Sequence, residues 1–193
     1  MSDPIGLVLL AAGGSSRLGR PKQLVEYRGR PLLRRAVETA LASRCRPIVV
    51  VLGAEEEKCR DVLRGLPVTL VVNADWRDGM ASSIRVGIAE MEKADVRVSA
   101  IVLCVCDQPK LTVGVLNALG DQHRQGAKIA AAEYGGQIGV PALFDEIYFR
   151  RLKALAGDAG ARGLLRELPE GVARVPFPGG ETDVDSPADC PPR

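Results

Sequence analysis

The feature that most constrains the fold is the alternation of short apolar runs with amphipathic segments along the chain. The apolar runs predict strands at residues 5–11, 47–53, 68–73, 98–106, 128–134 and 172–177. The amphipathic segments predict helices at residues 31–44, 55–65, 82–94, 112–125, 145–155 and 161–168. Strands that alternate with helices in this way are typical of an α/β fold with a mainly parallel sheet. The segment GGQIGVPALF (135–144) breaks the rhythm with three glycines and a proline, and it predicts a loop or hairpin.

Length and charge set the outer bounds. The 193 residues are 46% hydrophobic, enough for one globular domain over residues 1–193. The formal net charge is only +2, which argues against binding to nucleic acid or to a membrane surface by charge. The N-terminus MSDPIG resembles no leader, and no segment approaches the apolar length that spans a bilayer. We therefore expect a cytoplasmic protein that binds small ligands.

Cysteine and histidine are sparse. The five cysteines, an odd number without C-x-x-C spacing, are Cys45, Cys59, Cys104, Cys106 and Cys190. This pattern predicts reduced thiols rather than a zinc or redox site. His123 is the only histidine and falls near the end of a predicted helix, so the sequence offers little for a histidine-centred triad or a multi-histidine metal site.

Three polar or glycine-rich loops follow predicted strands. They are AAGGSSRLGRPKQL after the first strand, ADWRDGMASS after the third and DQPKLT after the fourth. Ligands of open α/β sheets bind beyond the carboxyl ends of the parallel strands. We therefore expect the three loops to share one site.

The first of these, which we call the glycine-rich loop (residues 12–24), has the composition of a phosphate binder. Its glycines let backbone amides approach an anion, and its basic side chains complete a cradle. It is not a P-loop, because Arg20 and Pro21 intervene between Gly19 and Lys22, and the dinucleotide fingerprint G-x-G-x-x-G is missing. The alternative is a surface turn with incidental charges.

A carboxylate directly follows the fourth strand. Asp107 would project from the edge of the sheet toward the glycine-rich loop, and Mg²⁺ is the hard cation that bridges carboxylate and phosphate oxygens. A helix-capping role is the alternative, although Thr112 is the better cap for the next helix. Asp183 and Asp185 are candidates for a second metal ligand, and Asp185 is preferred because it lies just ahead of the helix-start pattern of Ser186 and its neighbours.

Six motifs occur in order over nearly the whole chain: LAAGGSSRLGRPKQL, DGMASS, CDQP, GVPALF, GDAGARGLL and DVDSPAD. Together they resemble the molybdenum cofactor cytidylyltransferases, within the nucleotidyltransferases that share a GT-A-like α/β fold. The resemblance implies a single three-layer, Rossmann-like domain with a mostly parallel mixed sheet. It also implies Mg²⁺-dependent transfer of CMP from CTP to a molybdopterin-type cofactor, with release of pyrophosphate and delivery of the product to a molybdenum hydroxylase.

The resemblance assigns roles to matching positions. Arg17 and Lys22 would meet the triphosphate and the leaving pyrophosphate, and Asp107 with Asp185 would hold the metal. The backbone lining the nucleotide would come from Leu10, Ala11, Ala12, Gly13 and Gly14. The side chains offered to the cytosine ring would be those of Asp78, Ser82 and Ser83.

Guanylyl-transferring relatives resemble L-A-G-G where this chain has Leu10 to Gly13, so the methyl group of Ala12 is expected to narrow the pocket against a purine. For Ser82 and Ser83 the alternative role is capping the next helix. Two departures from the family pattern stand out: Val140 replaces the histidine of many relatives, and the chain ends in CPPR where the family continues into a helix.

Two other functions fit the same residues. A nucleotidyltransferase acting on a sugar or alcohol phosphate would use the same loop and the same aspartate. A non-catalytic carrier or chaperone of the molybdenum cofactor would bind its ligand and release it unchanged.

Overall fold

The central element of the computed structural model, which describes residues 4–15 and 19–183, is a seven-stranded sheet. Its strands, in chain order, are β1 Ile5–Ala11, β4 Ile48–Leu52, β5 Thr69–Val72, β6 Ala100–Val105, β7 Ile129–Tyr134, β8 Gln137–Asp145 and β9 Val172–Pro176. A separate small hairpin consists of β2 Glu26–Tyr27 and β3 Arg30–Pro31. The spatial order of the large sheet is β5-β4-β1-β6-β8-β7-β9.

The sheet is mixed but mostly parallel, which confirms the predicted fold class. The pairs β5 with β4, β4 with β1 and β1 with β6 are parallel, whereas β8 runs antiparallel to both β6 and β7. The edge strand β9 pairs in parallel with β7. Because β1, β4, β5 and β6 point the same way, the loops that follow them emerge at one edge of the sheet.

Helices cover both faces of the sheet and give the three layers expected of the fold. They are α1 Leu32–Ala42, α2 Glu56–Leu63, α3 Met80–Glu92, α4 Val113–Arg124, α5 Phe149–Lys153 and α6 Ala161–Glu167. One hydrophobic cluster joins the sheet to α1, α2 and α4, and the other joins it to α3, α5 and α6. Thr112 caps α4 as predicted, since its hydroxyl oxygen accepts from the Val115 amide at 3.3 Å.

Residues 135–144 correct one expectation. The hairpin alternative holds, but the second arm is a nine-residue strand, β8, inside the sheet, so the loop alternative is wrong. A proline within a central strand argues against such an assignment because it cannot donate to the ladder. Here the register passes from Ala131 opposite Ala142 to Ala132 opposite Gly139, so Val140 and Pro141 fall in the irregularity between paired residues.

The structure shows where the histidine and four of the cysteines lie. His123 lies in α4, and its Nδ1 is 3.0 Å from the Ala127 carbonyl oxygen. Four cysteines are buried, and burial raises the pKa of each thiol, that of Cys59 to about 11. Cys190 lies outside the described residues. None of the helices in the described ranges is long and apolar enough to cross a membrane.

Candidate active site

A cavity of about 450 Å³ opens at the edge of the sheet where β1, β5 and β6 end. The predicted residues that line it are Leu10, Ala11, Ala12, Gly13, Gly14, Lys22, Ser83 and Asp107. Residues that complete the lining without having been predicted are Gln23, Trp76, Arg77, Gly79, Met80, Val105, Cys106 and Asp158. The three loops singled out in the sequence therefore meet in one place.

Lys22 and Asp107 form an ion pair within this lining. The ammonium group of Lys22 donates to Oδ2 of Asp107, and both side chains are largely buried, with exposed fractions of 24% and 12%. The second carboxylate oxygen, Oδ1, is buried and has no hydrogen-bond partner within the described part of the chain. A buried carboxylate with an unused oxygen is a ready acceptor for a cation or a ligand donor.

Gln23 holds the glycine-rich loop against β1. Its side-chain amide nitrogen donates to the carbonyl oxygens of Ala11 at 2.8 Å and Gly13 at 2.7 Å, and the residue is only 1% exposed. On the other side of the loop the Lys22 amide donates to the Ser15 hydroxyl oxygen at 3.0 Å. These bonds fix the backbone of the loop next to the Lys22 ammonium.

Trp76 forms the outer wall of the cavity. A Cβ atom on Gly14 would lie 2.8 Å from the indole ring, so only glycine permits this approach of the loop to the tryptophan. At the end of β4, a Cβ on Gly53 would lie 2.9 Å from the Cβ of Trp76 and 2.8 Å from that of Ala12. The Arg77 guanidinium stacks on the indole, 4.4 Å from the ring centroid. The ends of β1, β4 and β5 are thus packed into one wall.

The two serines have different surroundings. Asn73 donates to the Ser82 hydroxyl oxygen at 2.8 Å and to that of Ser83 at 2.9 Å. The Ser82 hydroxyl also lies 2.8 Å from the Gly79 carbonyl oxygen, so it belongs to the turn that begins α3, and it does not line the cavity. Ser83 does line it. Asp78 is exposed and lies outside the lining, and the N-cap of α3 is Gly79 rather than either serine.

The segment that precedes α6 packs against the start of α3 beside the cavity. Gly79 has φ +97°, and a Cβ on it would lie 2.4 Å from the carbonyl group of Gly157. The Ala81 amide donates to the Gly157 carbonyl oxygen at 3.1 Å. This close packing brings Asp158 into the lining of the cavity.

Beyond Asp107, a hydrogen-bonded cluster ties β6 to the β7–β8 hairpin. The Gln108 amide nitrogen donates to the carbonyl oxygens of Val140 and Gly180, each at 3.1 Å. The Tyr134 hydroxyl donates to the Val140 oxygen at 3.0 Å and accepts from Arg162 at 3.1 Å. Val140, the residue that departs from the family pattern, thus contributes its backbone carbonyl.

Arg162, a member of this cluster, is affected by the charges of two carboxylates, Asp183 and Asp107. The hydrogen bond to Tyr134, together with the charges of Asp183 and Asp107, outweighs burial and raises the pKa of Arg162. Asp183, the predicted alternative to Asp185 as a metal ligand, therefore lies close enough to Arg162 to influence its pKa. Two predicted site residues, Arg17 and Asp185, lie outside the described residues. Within residues 4–15 and 19–183 there is no group of three or more His, Cys, Asp or Glu side chains suited to a metal.

Some of these residues carried a sequence signal and others did not. Trp76 is the single tryptophan of the chain and stands in a polar loop, and Gln108 belongs to the CDQP motif. Gln23 and Asp158 also fall within quoted motifs, LAAGGSSRLGRPKQL and GDAGARGLL, although no role was predicted for either. Tyr134 lacks such a signal, because its hydrogen-bond partners become visible only in the fold.

Comparisons with known proteins identify the family of the domain. A family model described as MobA-like NTP transferase domain matches residues 7–172. Nicotine blue oxidoreductase of Paenarthrobacter nicotinovorans is 38% identical over 84% of this chain and 81% of its own length. Purine catabolism protein PucB of Bacillus subtilis is 31% identical over 93% of this chain and 91% of its own.

A solved structure adds a likeness in three dimensions. Rv0371c of Mycobacterium tuberculosis superposes with a TM-score of 0.86 at 30% identity, covering 98% of this chain and 96% of that one. A second structure of Rv0371c, described as a complex with manganese, gives a TM-score of 0.81 at 28% identity and covers 96% and 95% of the two chains.

Proposed function

The chain belongs to the MobA-like NTP transferase domain family, a family of nucleotidyltransferases, and on that premise we propose that it transfers CMP from CTP to a molybdopterin-type cofactor. Pyrophosphate is the second product. The six motifs that run in order through the sequence support this choice of donor and acceptor, and the loop geometry supports the reaction class.

The observation that carries the proposal is the meeting of Lys22 and Asp107 in a cavity walled by the backbone of residues 11–14. Backbone amides in a glycine-rich turn and a lysine ammonium are the groups that bind phosphate oxygens. Asp107 stands opposite them with one oxygen buried and without a partner in the described part of the chain. A nucleoside triphosphate would supply the phosphate oxygens that these donors bind, and its accompanying divalent cation would suit the unused Asp107 oxygen.

The residues present fit Mg²⁺. This ion is commonly held by one or two carboxylates together with substrate phosphates, so Asp107 with Asp185 or Asp183 would be a sufficient set of protein ligands. The manganese complex of the relative Rv0371c supports a divalent cation in this family. When bound, Mg²⁺ neutralises charge on the phosphates and polarises the phosphorus that is attacked.

The chain's own residues position the reactants and stabilise charge. Nucleotidyl transfer is an in-line displacement at the α-phosphorus, in which alignment and charge neutralisation lower the barrier. Lys22 and Arg17 stabilise the negative charge of the departing pyrophosphate. The acceptor phosphate needs no general base, because the second pKa of a phosphate monoester is about 6 and the group is ionised at neutral pH.

Base preference rests on Ala12, which lines the cavity and is 4% exposed. Its methyl group takes space that a purine needs, an effect of about 1–3 kcal/mol for one methyl group. The Ser83 hydroxyl lines the same cavity and offers a polar contact to a cytosine ring. A molybdenum hydroxylase is the partner expected to receive the cytidylylated cofactor.

The test is pyrophosphate release by the purified protein with Mg²⁺, a molybdopterin-type acceptor and either CTP or GTP. The proposal predicts release with CTP, little with GTP, and a shift toward GTP in Ala12→Gly. Release only with a sugar or alcohol phosphate would move the protein to that alternative. Binding without release would indicate a carrier, or an oxidation–reduction reaction of the kind for which one relative is named.

A further inference from the structure

Arg77 lies where two cavities adjoin. It lines the main cavity, and it also lines an outer cavity on the other side of Gly14, which includes Ser15 and Arg20. Gly14 and Trp76 also line both cavities, so the two spaces adjoin beside the start of the glycine-rich loop, and the Arg77 side chain borders both. A group that extends from the nucleotide site along this loop would pass beside Arg77.

The position of Arg77 is set by Trp76. The guanidinium carbon is 4.4 Å from the centroid of the indole ring, within the range of a cation–π interaction. The indole is in turn packed against Gly14, where a Cβ atom would approach it to 2.8 Å. Stacking reduces the number of conformations open to an exposed arginine, while the N–H groups at the edge of the guanidinium plane remain available to an anion.

The charges that line the main cavity need a second cation if a polyanion is to bind. The described lining contains two cationic side chains, Lys22 and Arg77, and two carboxylates, Asp107 and Asp158. Without Arg77, one cation would face two carboxylates. In the outer cavity the acidic side chain, Glu55, is paired with Lys58 at 2.6 Å.

We propose that Arg77, oriented by Trp76, is a further nucleotide-binding residue that contacts the phosphate chain of the nucleoside triphosphate. This inference rests on the proposed function, since it takes the triphosphate to lie along the glycine-rich loop. It adds a contact from the loop after β5 to those from Lys22 and the backbone of the glycine-rich loop. Arg77 thereby contributes to binding of the donor rather than to recognition of the acceptor.

The experiment compares binding of CTP, CMP and cytidine by calorimetry in the presence of Mg²⁺. Quenching of Trp76, the single tryptophan, provides a second readout at the stacked pair itself. Arg77→Gln should weaken CTP binding by on the order of tenfold to a hundredfold, the range of a hydrogen bond to a charged group. CMP should lose less and cytidine nothing, and Arg77→Lys should recover part of the loss.

The matched control is Arg64→Gln, an arginine whose side chain is 83% exposed and lies at the end of α2, outside both cavities. Its CTP affinity should equal that of the wild type. Undiminished CTP binding by Arg77→Gln, or an equal loss for cytidine, would overturn the assignment to the phosphates while leaving the proposed function intact. Failure of the wild type to bind any nucleoside triphosphate would overturn both.

Discussion

The ammonium group of Lys22 is bonded to Oδ2 of Asp107, a residue 85 positions further along the chain. The lysine thus lies on the carboxylate proposed to hold a divalent cation, so the two cations compete for the negative charge of one carboxylate, Lys22 at Oδ2 and the metal at the unused Oδ1. Because nucleotide phosphates also attract Lys22, binding of CTP should draw the ammonium away from Asp107 and favour metal binding. Donor and metal should therefore bind with positive cooperativity.

This competition predicts a gain of metal affinity on removing the lysine. In the absence of nucleotide, Lys22→Met should bind Mn²⁺ more tightly than the wild type, by titration followed with electron paramagnetic resonance, while turnover is lost. Asp107→Asn should lose both metal binding and turnover. Lys93→Met, at a lysine that is 72% exposed and pairs with Glu90, is the control. Unchanged Mn²⁺ affinity in Lys22→Met would rule out the competition.

The contact between Gly79 and Gly157 predicts a large loss of stability for a single added methyl group. Gly79→Ala places a Cβ 2.4 Å from a carbonyl group at a φ of +97°, so the free energy of unfolding should fall by at least about 2 kcal/mol. Gly163→Ala is the matched control, because a Cβ there meets nothing within 4 Å and the residue is inside α6. It should gain about 0.5–1 kcal/mol from helix propensity. Urea unfolding of both variants measures the contrast.

The Gln23 clamp predicts a combined effect on stability and on donor binding. Gln23→Leu removes both bonds to the loop carbonyls, and the free energy of unfolding should fall by roughly 1–3 kcal/mol. The loosened loop should also raise KM for CTP more than KM for the acceptor. Gln125→Leu, at an exposed glutamine after α4, should change neither. Equal changes in both KM values would indicate a general loss of structure instead.

The Tyr134 hydroxyl belongs to the hydrogen-bonded cluster beyond Asp107, and we predict that removing it affects binding of the acceptor rather than of CTP. Tyr134→Phe deprives Arg162 of its acceptor and Val140 of a donor, and it should cost on the order of 1 kcal/mol of stability. KM for the acceptor should rise while the Kd for CTP stays constant, because the hydrogen bonds of the cluster join β6 to the β7–β8 hairpin and, among the described residues, reach none of the glycine-rich loop. The control is Tyr148→Phe, the same change at a tyrosine just before α5, which should alter neither KM for the acceptor nor the Kd for CTP. A change in CTP affinity instead would place the cluster on the donor side.

The four buried cysteines are expected to react slowly with thiol reagents. Burial favours the neutral thiol, so the pKa of Cys59 rises to about 11 and those of Cys45, Cys104 and Cys106 also lie above the usual value. At pH 8 the reactive thiolate is scarce and inaccessible. In a Cys190→Ser background, a chromogenic disulfide reagent should react only after denaturant is added. Rapid reaction of the native protein would show that one of the four is accessible.

The alternating strands and helices were predictable from the sequence. Features that depend on contacts between distant parts of the chain were not. Most strands and helices predicted from periodicity lie close to their predicted limits, since burial of one face sets that period. The exception is the helix predicted at residues 145–155, because Asp145 ends β8 and α5 spans only Phe149–Lys153. The nine-residue β8 was only a loop-or-hairpin alternative, because Pro141 is excluded from an ordinary ladder. The bulge beside Ala131 that accommodates it involves a strand pairing, which no local pattern records.

The site divides in the same way. Lys22 and Asp107 were predictable because each follows a strand and parallel strands end at one edge. Trp76 and Gln108 stood out in the sequence, but what each contacts is visible only in the packing, the first against Gly14 and the second against Val140. Their roles depend on contacts with residues that are distant in the sequence, and no local pattern shows which residues those are.

The most direct measurement of the central claim follows the α-phosphorus of CTP. The protein is incubated with Mg²⁺, a molybdopterin-type acceptor and CTP labelled at the α-phosphate, and the products are separated. The account predicts that the label moves to the acceptor while unlabelled pyrophosphate is released, in wild type but not in Asp107→Asn. Label that stays in CTP, or that appears only as free CMP, would contradict it.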